Sequence, residues 1–362
     1  MQPKWNFLKV RKLVQRENAA RYILISLLSS VATIILVRSF LALTDYPTIG
    51  SGPLHIAHVL WGGLILYIAT LLQLVYISPR LHNVGAVLAG VGVGLFIDEV
   101  GKFITTEYDY FYPPAAPIMY IFFLLVVILV IMINRPEEMD GRSELVHALE
   151  LVREQLYRPL EAKEKQRLEN DVTKVMESDP NPLHVSLASQ LLEFMLADTR
   201  TPPDISPAWW EHVKNSLDSW LTEVRLRWLL GIGMFLLGLL MLKNPIQVGL
   251  ERIIPGSALV AFLHAHFGRQ IEVGEAPLLF NIRIGLEVLM GVLLLVAVIL
   301  LTLGKYRQGI NLGYFCMLVS LVVLAMLLFY FEQFSAGLTV GFQFLILIGM
   351  MYYRRKFIES IV

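Results

Sequence analysis

The chain of 362 residues has little charge, no excess of either charge sign and a single cysteine. Charged side chains make up 17% of the residues, against about 25% in soluble globular domains, whereas hydrophobic side chains make up 56%. This composition excludes a soluble enzyme and a nucleic-acid-binding protein. Because Cys316 has no second cysteine to pair with and lies in an apolar run, we expect it to be a core residue.

The hydrophobic residues are concentrated in runs long enough to cross a bilayer, which takes about 20 residues per helix. We therefore predict an all-α polytopic membrane protein with about eight transmembrane helices and a small helical cytoplasmic domain. The predicted spans are approximately Tyr22–Leu43, Leu54–Ile77, Val84–Ile104, Pro117–Asn134, Leu226–Leu242, Ile284–Leu303, Ile310–Phe331 and Ala336–Tyr353.

Basic residues are distributed as expected for a protein with both termini in the cytoplasm. With the N-terminus inside, twenty-four of the thirty Lys and Arg residues fall on cytoplasmic segments, where basic residues are retained. We therefore predict a multi-pass protein of the plasma (inner) membrane with both termini cytoplasmic. The apolar segment 253–267 is too short to span, so we interpret it as a re-entrant or interfacial outer helix.

These patterns divide the chain into five predicted regions. They are a basic cytoplasmic N-terminus (1–21), a four-helix membrane module with a polar cluster (22–134), an acidic helical cytoplasmic domain (135–225), a second four-helix membrane module (226–353) with an outer loop (243–282), and a cytoplasmic tail (354–362).

The predicted cytoplasmic domain has a net charge near minus eight over residues 136–225, so it should repel nucleic acid and anionic lipid headgroups. It is a candidate binding surface for a cytoplasmic protein partner. Two apolar stripes at helical spacing predict its core: Leu145, Leu149, Val152 and Leu156, and Leu187, Leu191, Phe194 and Met195.

Ionisable residues inside the spans of the first module are informative, because each costs about 2.5 to 3.5 kcal/mol at a helix centre. Six such residues from three spans share the outer half of the membrane in the predicted topology: Arg38, His55, His58, Asp98, Glu99 and Lys102. We expect the side chains of His58 and Asp98 to lie within about 10 Å of each other.

Glycine spacing predicts how the third span packs. Gly90 and Gly94 share a helix face with Asp98, whereas Gly85 and Gly92 lie on the side of Glu99. Glycine at this density allows close approach of neighbouring helices. We therefore expect the third span to be central in its bundle.

Three interpretations of the polar cluster remain open. In the first, His55, His58 and Asp98 bind a divalent metal such as zinc, iron or manganese, with Glu99 as general base and Lys102 and Arg38 as further catalytic candidates. In the second, the same residues form a metal-free polar binding site or proton relay. In the third, they are structural, with Asp98 paired to Lys102 and Arg38 paired to Glu99.

Two further groups are weaker candidates. His264 and His266 lie on the predicted outer side with the spacing of a ligand pair, although the neighbouring Gly268 suggests an exposed turn. Glu287 most simply pairs with Arg283, one helical turn earlier.

Residues 22–134 resemble the VanZ-like membrane proteins. The resemblance is carried by the segment Leu54 to His58 and by the helix end running from Phe96 through Asp98 and Glu99 to Phe103. In that family a histidine-bearing helix precedes a helix that ends in an Asp-Glu pair, and here Lys102 stands at a position that is usually glutamine. The resemblance implies an association with the cell envelope or glycopeptide resistance and names no reaction.

The leading functional hypothesis is a membrane protein whose outward-facing site binds or processes an envelope lipid, as a metal-dependent hydrolase or transferase would. Membrane lipid is then the expected partner. One alternative is an ion- or proton-coupled transporter, although the inner halves of the first four spans offer almost no charged residues for a route. The other alternative is a sensor that signals to the cytoplasmic helical domain.

Overall fold

The computed structural model describes residues 14–16, 18–44, 58–106, 112–134, 141–198, 200, 216, 220–258 and 276–358. Over these residues the chain is helical and contains no strand, which confirms the predicted all-α class. The helices are α1 (Ala19–Leu43), α2 (His58–Val75), α3 (Pro79–Asp98), α4 (Val100–Ile104), α5 (Ala115–Ile133), α6 (Gly141–Tyr157), α7 (Ala162–Ser178), α8 (Pro182–Ala197), α9 (Glu223–Ile253), α10 (Pro277–Thr302), α11 (Tyr306–Val319), α12 (Ala325–Glu332) and α13 (Ala336–Tyr353). A π-helical segment, Ser320–Leu324, joins α11 to α12, and a 3₁₀ turn, Gln333–Ser335, joins α12 to α13.

Seven described helical stretches are long and apolar enough to cross a membrane, so the chain is a multi-pass membrane protein. The last stretch covers 53 residues, Tyr306–Ile358, far more than the roughly 20 that one crossing needs. It is interrupted at Gln333, whose φ is 49°, and α13 packs back against α11. This stretch therefore accommodates two crossings, and the total agrees with the predicted eight.

One helix is longer than its predicted span. Helix α9 continues past Leu242 and through Pro245 to Ile253, so the predicted outer loop 243–282 begins as helix. A proline inside a helix removes one hydrogen bond, which neighbouring groups compensate in transmembrane helices. Only residues 253–258 of the predicted re-entrant segment are described, as the end of α9 and a turn, and the rest lies outside the described residues.

The chain divides into two compact units, whose limits differ from the predicted modules. The first comprises Met1–Glu99 and Leu125–Pro207, and the second comprises Val100–Leu124 and Ala208–Val362. The first half of α5 belongs to the second unit. Within that unit the Tyr120 hydroxyl donates a hydrogen bond to the Leu321 carbonyl, and the Tyr120 ring stacks on Phe329.

In the first unit, α3 packs between α1 and α2 through the predicted glycines. A Cβ atom on Gly94 would lie 2.8 Å from the Ser30 carbonyl oxygen of α1, and one on Gly92 would lie 2.8 Å from the Gly62 carbonyl oxygen of α2. Both distances are too short for a real side chain. The central position predicted for the third span is therefore confirmed, and it brings the ends of three helices close together.

Helices α6 to α8 form a small bundle with its own apolar core, but the predicted stripes are partly wrong. Leu149, Leu156 and Phe194 are exposed, although Leu145, Leu191 and Met195 are buried as expected. The core instead includes Ala148 and Ala188, both without solvent exposure. Small residues mark the closest helix contacts, and a search for large apolar side chains overlooks them.

Candidate functional site

The candidate site lies at one end of the α1–α3 bundle in the first unit. Asp98 is the last residue of α3 and Glu99 occupies the turn that follows, because the helix is interrupted before α4 begins. His58 is the first residue of α2, and Arg38 lies about one turn before the end of α1. Since α2 runs antiparallel to its two neighbours, these helix ends meet at the same level.

Arg38 holds Asp98 through two contacts. Its Nε donates to Asp98 Oδ1 at 2.5 Å, and an Nη2 donates to the Asp98 backbone carbonyl at 3.2 Å. Charge-assisted hydrogen bonds of this kind are about twice as strong as neutral ones. Arg38 therefore fixes both the side chain and the backbone at the end of α3. The third interpretation had paired Arg38 with Glu99.

His58 lies between the two carboxylates. Its Nε2 is 3.2 Å from Asp98 Oδ2, and its Nδ1 is 3.2 Å from Glu99 Oε1. The prediction that His58 and Asp98 lie within about 10 Å is confirmed. Although Nε2 is buried and close to Asp98, it forms no hydrogen bond of acceptable geometry with any described residue.

Burial gives the cluster a closed side and an open side. The side chains of Asp98 and Glu99 are 0% and 1% exposed, whereas those of Arg38 and His58 are 14% and 23% exposed. A ligand would therefore meet the imidazole and the guanidinium first. The carboxylates lie behind them and set their orientation.

The cluster can hold a proton at His58. A neutral imidazole has one N–H and can donate to only one carboxylate, whereas an imidazolium can donate to both. With His58 protonated, two positive groups balance Asp98 and Glu99, and the four side chains are neutral together. Buried charges of this kind are retained only when they are paired. Loss of this proton therefore changes the charge of the whole cluster.

The geometry fits a divalent metal only in part. His58 Nε2 and Asp98 Oδ2 are separated as two ligands of one ion would be, and Glu99 lies behind Nδ1 as a carboxylate that orients a ligating histidine often does. Within the described residues, however, no group of three or more His, Cys, Asp or Glu side chains is arranged to hold a metal ion. The third proposed ligand, His55, lies outside the described residues.

The remaining sequence candidates lie in the second unit or outside the described residues. Lys102 is half-buried in α4 and belongs to the second unit, so the continuous helix expected to pair it with Asp98 is interrupted at Glu99. His264 and His266 lie outside the described residues. Cys316 is fully buried, as expected of a core residue.

A second polar cluster was only half visible in the sequence. The expected pair is present, with Arg283 Nε donating to Glu287 Oε1 at 2.8 Å. Glu332 also accepts from the Arg283 guanidinium, which lies near the Phe331 ring at 5.6 Å from its centroid. Glu332 falls between the last two predicted spans, and no local signal connects it with Arg283, 49 residues earlier in the chain.

No protein-family model, curated protein or solved structure matches this chain. The resemblance of residues 22–134 to VanZ-like proteins therefore rests on the sequence pattern alone.

Proposed function

We propose that this integral membrane protein binds the polar headgroup of an envelope lipid at the cluster of Arg38, His58, Asp98 and Glu99, and that His58 moves a proton to or from the bound headgroup. The observation that carries this proposal is the position of the His58 imidazole, which is 23% exposed and lies between two buried carboxylates, with Nε2 3.2 Å from Asp98 Oδ2 and Nδ1 3.2 Å from Glu99 Oε1. Ionisable residues at membrane depth are costly and are retained mainly at functional sites.

Each residue then has a defined role. Glu99 accepts the Nδ1–H of His58 and so holds the imidazole in place, with Nε2 facing Asp98. Asp98 stabilises the imidazolium once His58 is protonated, and Arg38 keeps Asp98 in place. The arrangement is that of a general acid–base pair oriented by a third group.

The proposed location follows from the distribution of basic residues. With both termini in the cytoplasm, the site faces the outer leaflet of the plasma (inner) membrane, where envelope lipids are assembled. The VanZ-like pattern in residues 22–134 supports the same setting. The α6–α8 bundle is then cytoplasmic and available to a protein partner.

A divalent ion is the alternative activating group. In that version His58 Nε2 and Asp98 Oδ2 bind zinc, iron or manganese with His55, and Glu99 orients His58. Elemental analysis of protein purified without chelator separates the two versions. A stoichiometric metal that is lost in His58→Ala supports the ion, whereas metal-free folded protein that still binds lipid supports the proton version.

The test is to extract the protein together with its native membrane lipids and to identify those lipids by mass spectrometry. We expect a lipid species enriched in the wild type and depleted in His58→Gln, which keeps the size but cannot carry the charge. His184→Gln is the matched control, because His184 pairs with Asp179 in the α6–α8 bundle. Identical lipid profiles in wild type and His58→Gln would overturn the proposal.

The proposed proton transfer is tested separately in proteoliposomes made from a total inner-membrane lipid extract. Glu99→Gln should retain the bound lipid, because the amide keeps the shape, and should lose any conversion of the lipid, because His58 is no longer oriented by a carboxylate. Conversion at the wild-type rate in Glu99→Gln would exclude this role for Glu99.

One observation favours a sensor as the second candidate function. Helix α1 links the cluster to the α6–α8 bundle, since Arg38 contacts Asp98 near one end and Arg16, just before the helix, lies 3.4 Å from Glu150 of α6. Occupation of the site could therefore shift α1 and be read at the bundle. Arg16→Gln should leave lipid retention unchanged in either function, and should alter a cytoplasmic output only in the sensor.

A further inference from the structure

The second unit contains a groove between α9 and α10 that none of the functions considered above uses. Its volume is about 320 Å³, at the lower end of the range for ligand pockets. The apolar walls include Phe235 of α9 and Val298 of α10. One end is polar and aromatic, where Arg227, Trp228 and Tyr306 line it.

The groove exists because position 231 has no side chain. Gly231 lies at its base, and a Cβ atom there would meet only Leu301 Cδ1, at an ordinary contact distance of 3.7 Å. The neighbouring helices are therefore not held together by this glycine, in contrast to Gly238 and Gly291, which each approach the other's carbonyl oxygen closely. A larger side chain at 231 would fill the groove without forcing the helices apart.

The polar end carries positive charge. The Arg227 guanidinium lies over the Tyr306 ring at 3.7 Å from its centroid, and its Nη1 is 3.5 Å from Glu223 Oε1. Lys305 and Arg307 flank Tyr306 in sequence, are exposed, and form no ion pair with the described residues. Arg227, Lys305 and Arg307 carry three positive charges at this end and Glu223 carries one negative charge. The polar end therefore has an excess of two positive charges.

The aromatic residues suggest the depth of this end in the membrane. Trp and Tyr are enriched where the hydrocarbon core meets the headgroups, and Trp228 and Tyr306 lie beside Arg227 at the mouth of the groove. This end of α9 also lies beside the end of α13, because the Tyr353 hydroxyl donates to Glu223 at 3.1 Å. The arginines that follow α13 therefore join the same basic end, which the charge pattern predicts to be cytoplasmic.

We propose that the groove binds one anionic phospholipid of the cytoplasmic leaflet, with an acyl chain along Gly231, Phe235 and Val298 and the phosphate beside Arg227, Lys305 and Arg307. The apolar walls match the chain, and the excess positive charge matches the headgroup. A zwitterionic lipid would match the apolar walls but would have no net negative charge to pair with the basic residues. This site belongs to the second unit and does not depend on the function proposed for the cluster around His58.

The test measures lipid retention by native mass spectrometry of the full-length protein from nanodiscs that contain equal amounts of phosphatidylglycerol and phosphatidylcholine. We expect one phosphatidylglycerol to be retained preferentially by the wild type. Arg227→Gln should lower this retention about fivefold, which corresponds to about 1 kcal/mol for one basic residue at a membrane surface. Arg354→Gln is the matched control, because Arg354 also lies over a tyrosine, Tyr314, but does not line the groove.

The chain-binding part of the groove is tested with Gly231→Leu, which should abolish retention by filling it. Gly285→Leu is its control, since a Cβ on Gly285 meets nothing within 4 Å and this residue is outside the groove. Equal retention of both lipids by the wild type, or retention unchanged in Gly231→Leu, would overturn the proposal. An equal loss in Arg354→Gln would attribute the selectivity to general surface charge, and a dimer that Gly231→Leu dissociates would assign the groove to a second copy of this chain.

Discussion

The two polar clusters of this protein use similar residues in different surroundings. Around Asp98, one arginine and two carboxylates are joined by His58, and the arginine and histidine are 14% and 23% exposed. Around Arg283, one arginine and two carboxylates have no histidine, and the arginine is fully buried. Glu287 is 3% exposed and Glu332 is 24% exposed, so only the carboxylate at the end of α12 reaches the surface.

The difference suggests how a functional cluster can be distinguished from a structural one. Arg283 and Glu287 lie one turn apart on α10, and Glu332 connects that helix to the end of α12. Arg283 is fully buried and always carries a positive charge, so losing its carboxylate partners would leave an unpaired charge inside the protein. This favours a permanent link between the two helices. His58 carries an imidazole, which can both donate and accept hydrogen bonds, and its side chain is 23% exposed. We therefore interpret the second cluster as structural and keep the proposal of ligand binding for the first.

The largest expected effect is in the structural cluster. Arg283→Leu should lower the free energy of unfolding by about 3 to 5 kcal/mol, because it leaves Glu287 buried beside a second carboxylate without a counter-charge. Equilibrium unfolding in detergent micelles measures this change. The control Arg252→Leu, at an exposed arginine near the end of α9, should stay within about 0.5 kcal/mol of the wild type. A stable Arg283→Leu protein that loses a ligand would reverse the assignment of the two clusters.

A smaller loss is expected at Asp98. Asp98→Asn should cost about 1.5 to 3 kcal/mol, since the amide cannot balance the charge of Arg38. The double variant Arg38→Met/Asp98→Leu removes both charges and should recover much of the stability without recovering lipid retention. The measurements are equilibrium unfolding and mass spectrometry of co-extracted lipids. Lipid retention that returns together with stability would show that this cluster is structural as well.

His58→Ala should have a modest effect on folding and a large effect on binding. The expected cost is roughly 0.6 to 2 kcal/mol, the range for hydrogen bonds between transmembrane helices. Lipid retention should fall well beyond what this loss explains, because the protonatable group is removed. Thermal unfolding and lipid analysis of the same preparation give both values. The control is a variant elsewhere in the protein that is destabilised to the same extent. If this control loses as much lipid retention as His58→Ala, the distinction between the clusters is removed.

The smallest effect is expected in the α6–α8 bundle, where the stability of a buried carboxylate can be tested apart from the two clusters. Burial raises the pKa of Asp171 in α7, so its contribution to stability is present below its unfolded pKa and is lost as the pH rises through the folded value. Asp171→Asn should therefore increase hydrogen-exchange protection of α7 at pH 7, by less than about 1 kcal/mol.

Asp198 provides the control of opposite sign. Hydrogen bonds from Arg200 and Gln155 lower its pKa, so its contribution is present above the unfolded pKa and is lost as the pH falls. Asp198→Asn should therefore reduce protection of α8 at pH 7 and flatten its decline in acid. If hydrogen-exchange protection at pH 7 changes in the same direction in Asp171→Asn and Asp198→Asn, the opposite pKa directions assigned to the two carboxyl groups are contradicted.

Sequence alone predicted the features that depend on spacing within one helix. The glycine faces of α3 and the meeting of His58 with Asp98 followed from helical angles and from matching depth in the membrane. The contact of Arg38 with Asp98 was not predictable, because it depends on the end of α3 at Asp98 and the turn at Glu99. Glu332 was missed for a related reason, since its contact with Arg283 depends on how α12 ends and on no local pattern.

The π-helical segment Ser320–Leu324 gives the helix that contains it one place where its residue count can change at little cost. It provides the Leu321 carbonyl that accepts from Tyr120, and it precedes the turns of α12 that carry Glu332. A π turn holds one residue more than an α turn, so removing one exposed residue there, such as Val322, would let the segment relax to a regular α-helix while the flanking helices keep their orientation. The same deletion within α12 would rotate the end of that helix by about 100° and take Glu332 away from Arg283, so a single-codon deletion there should be far more damaging.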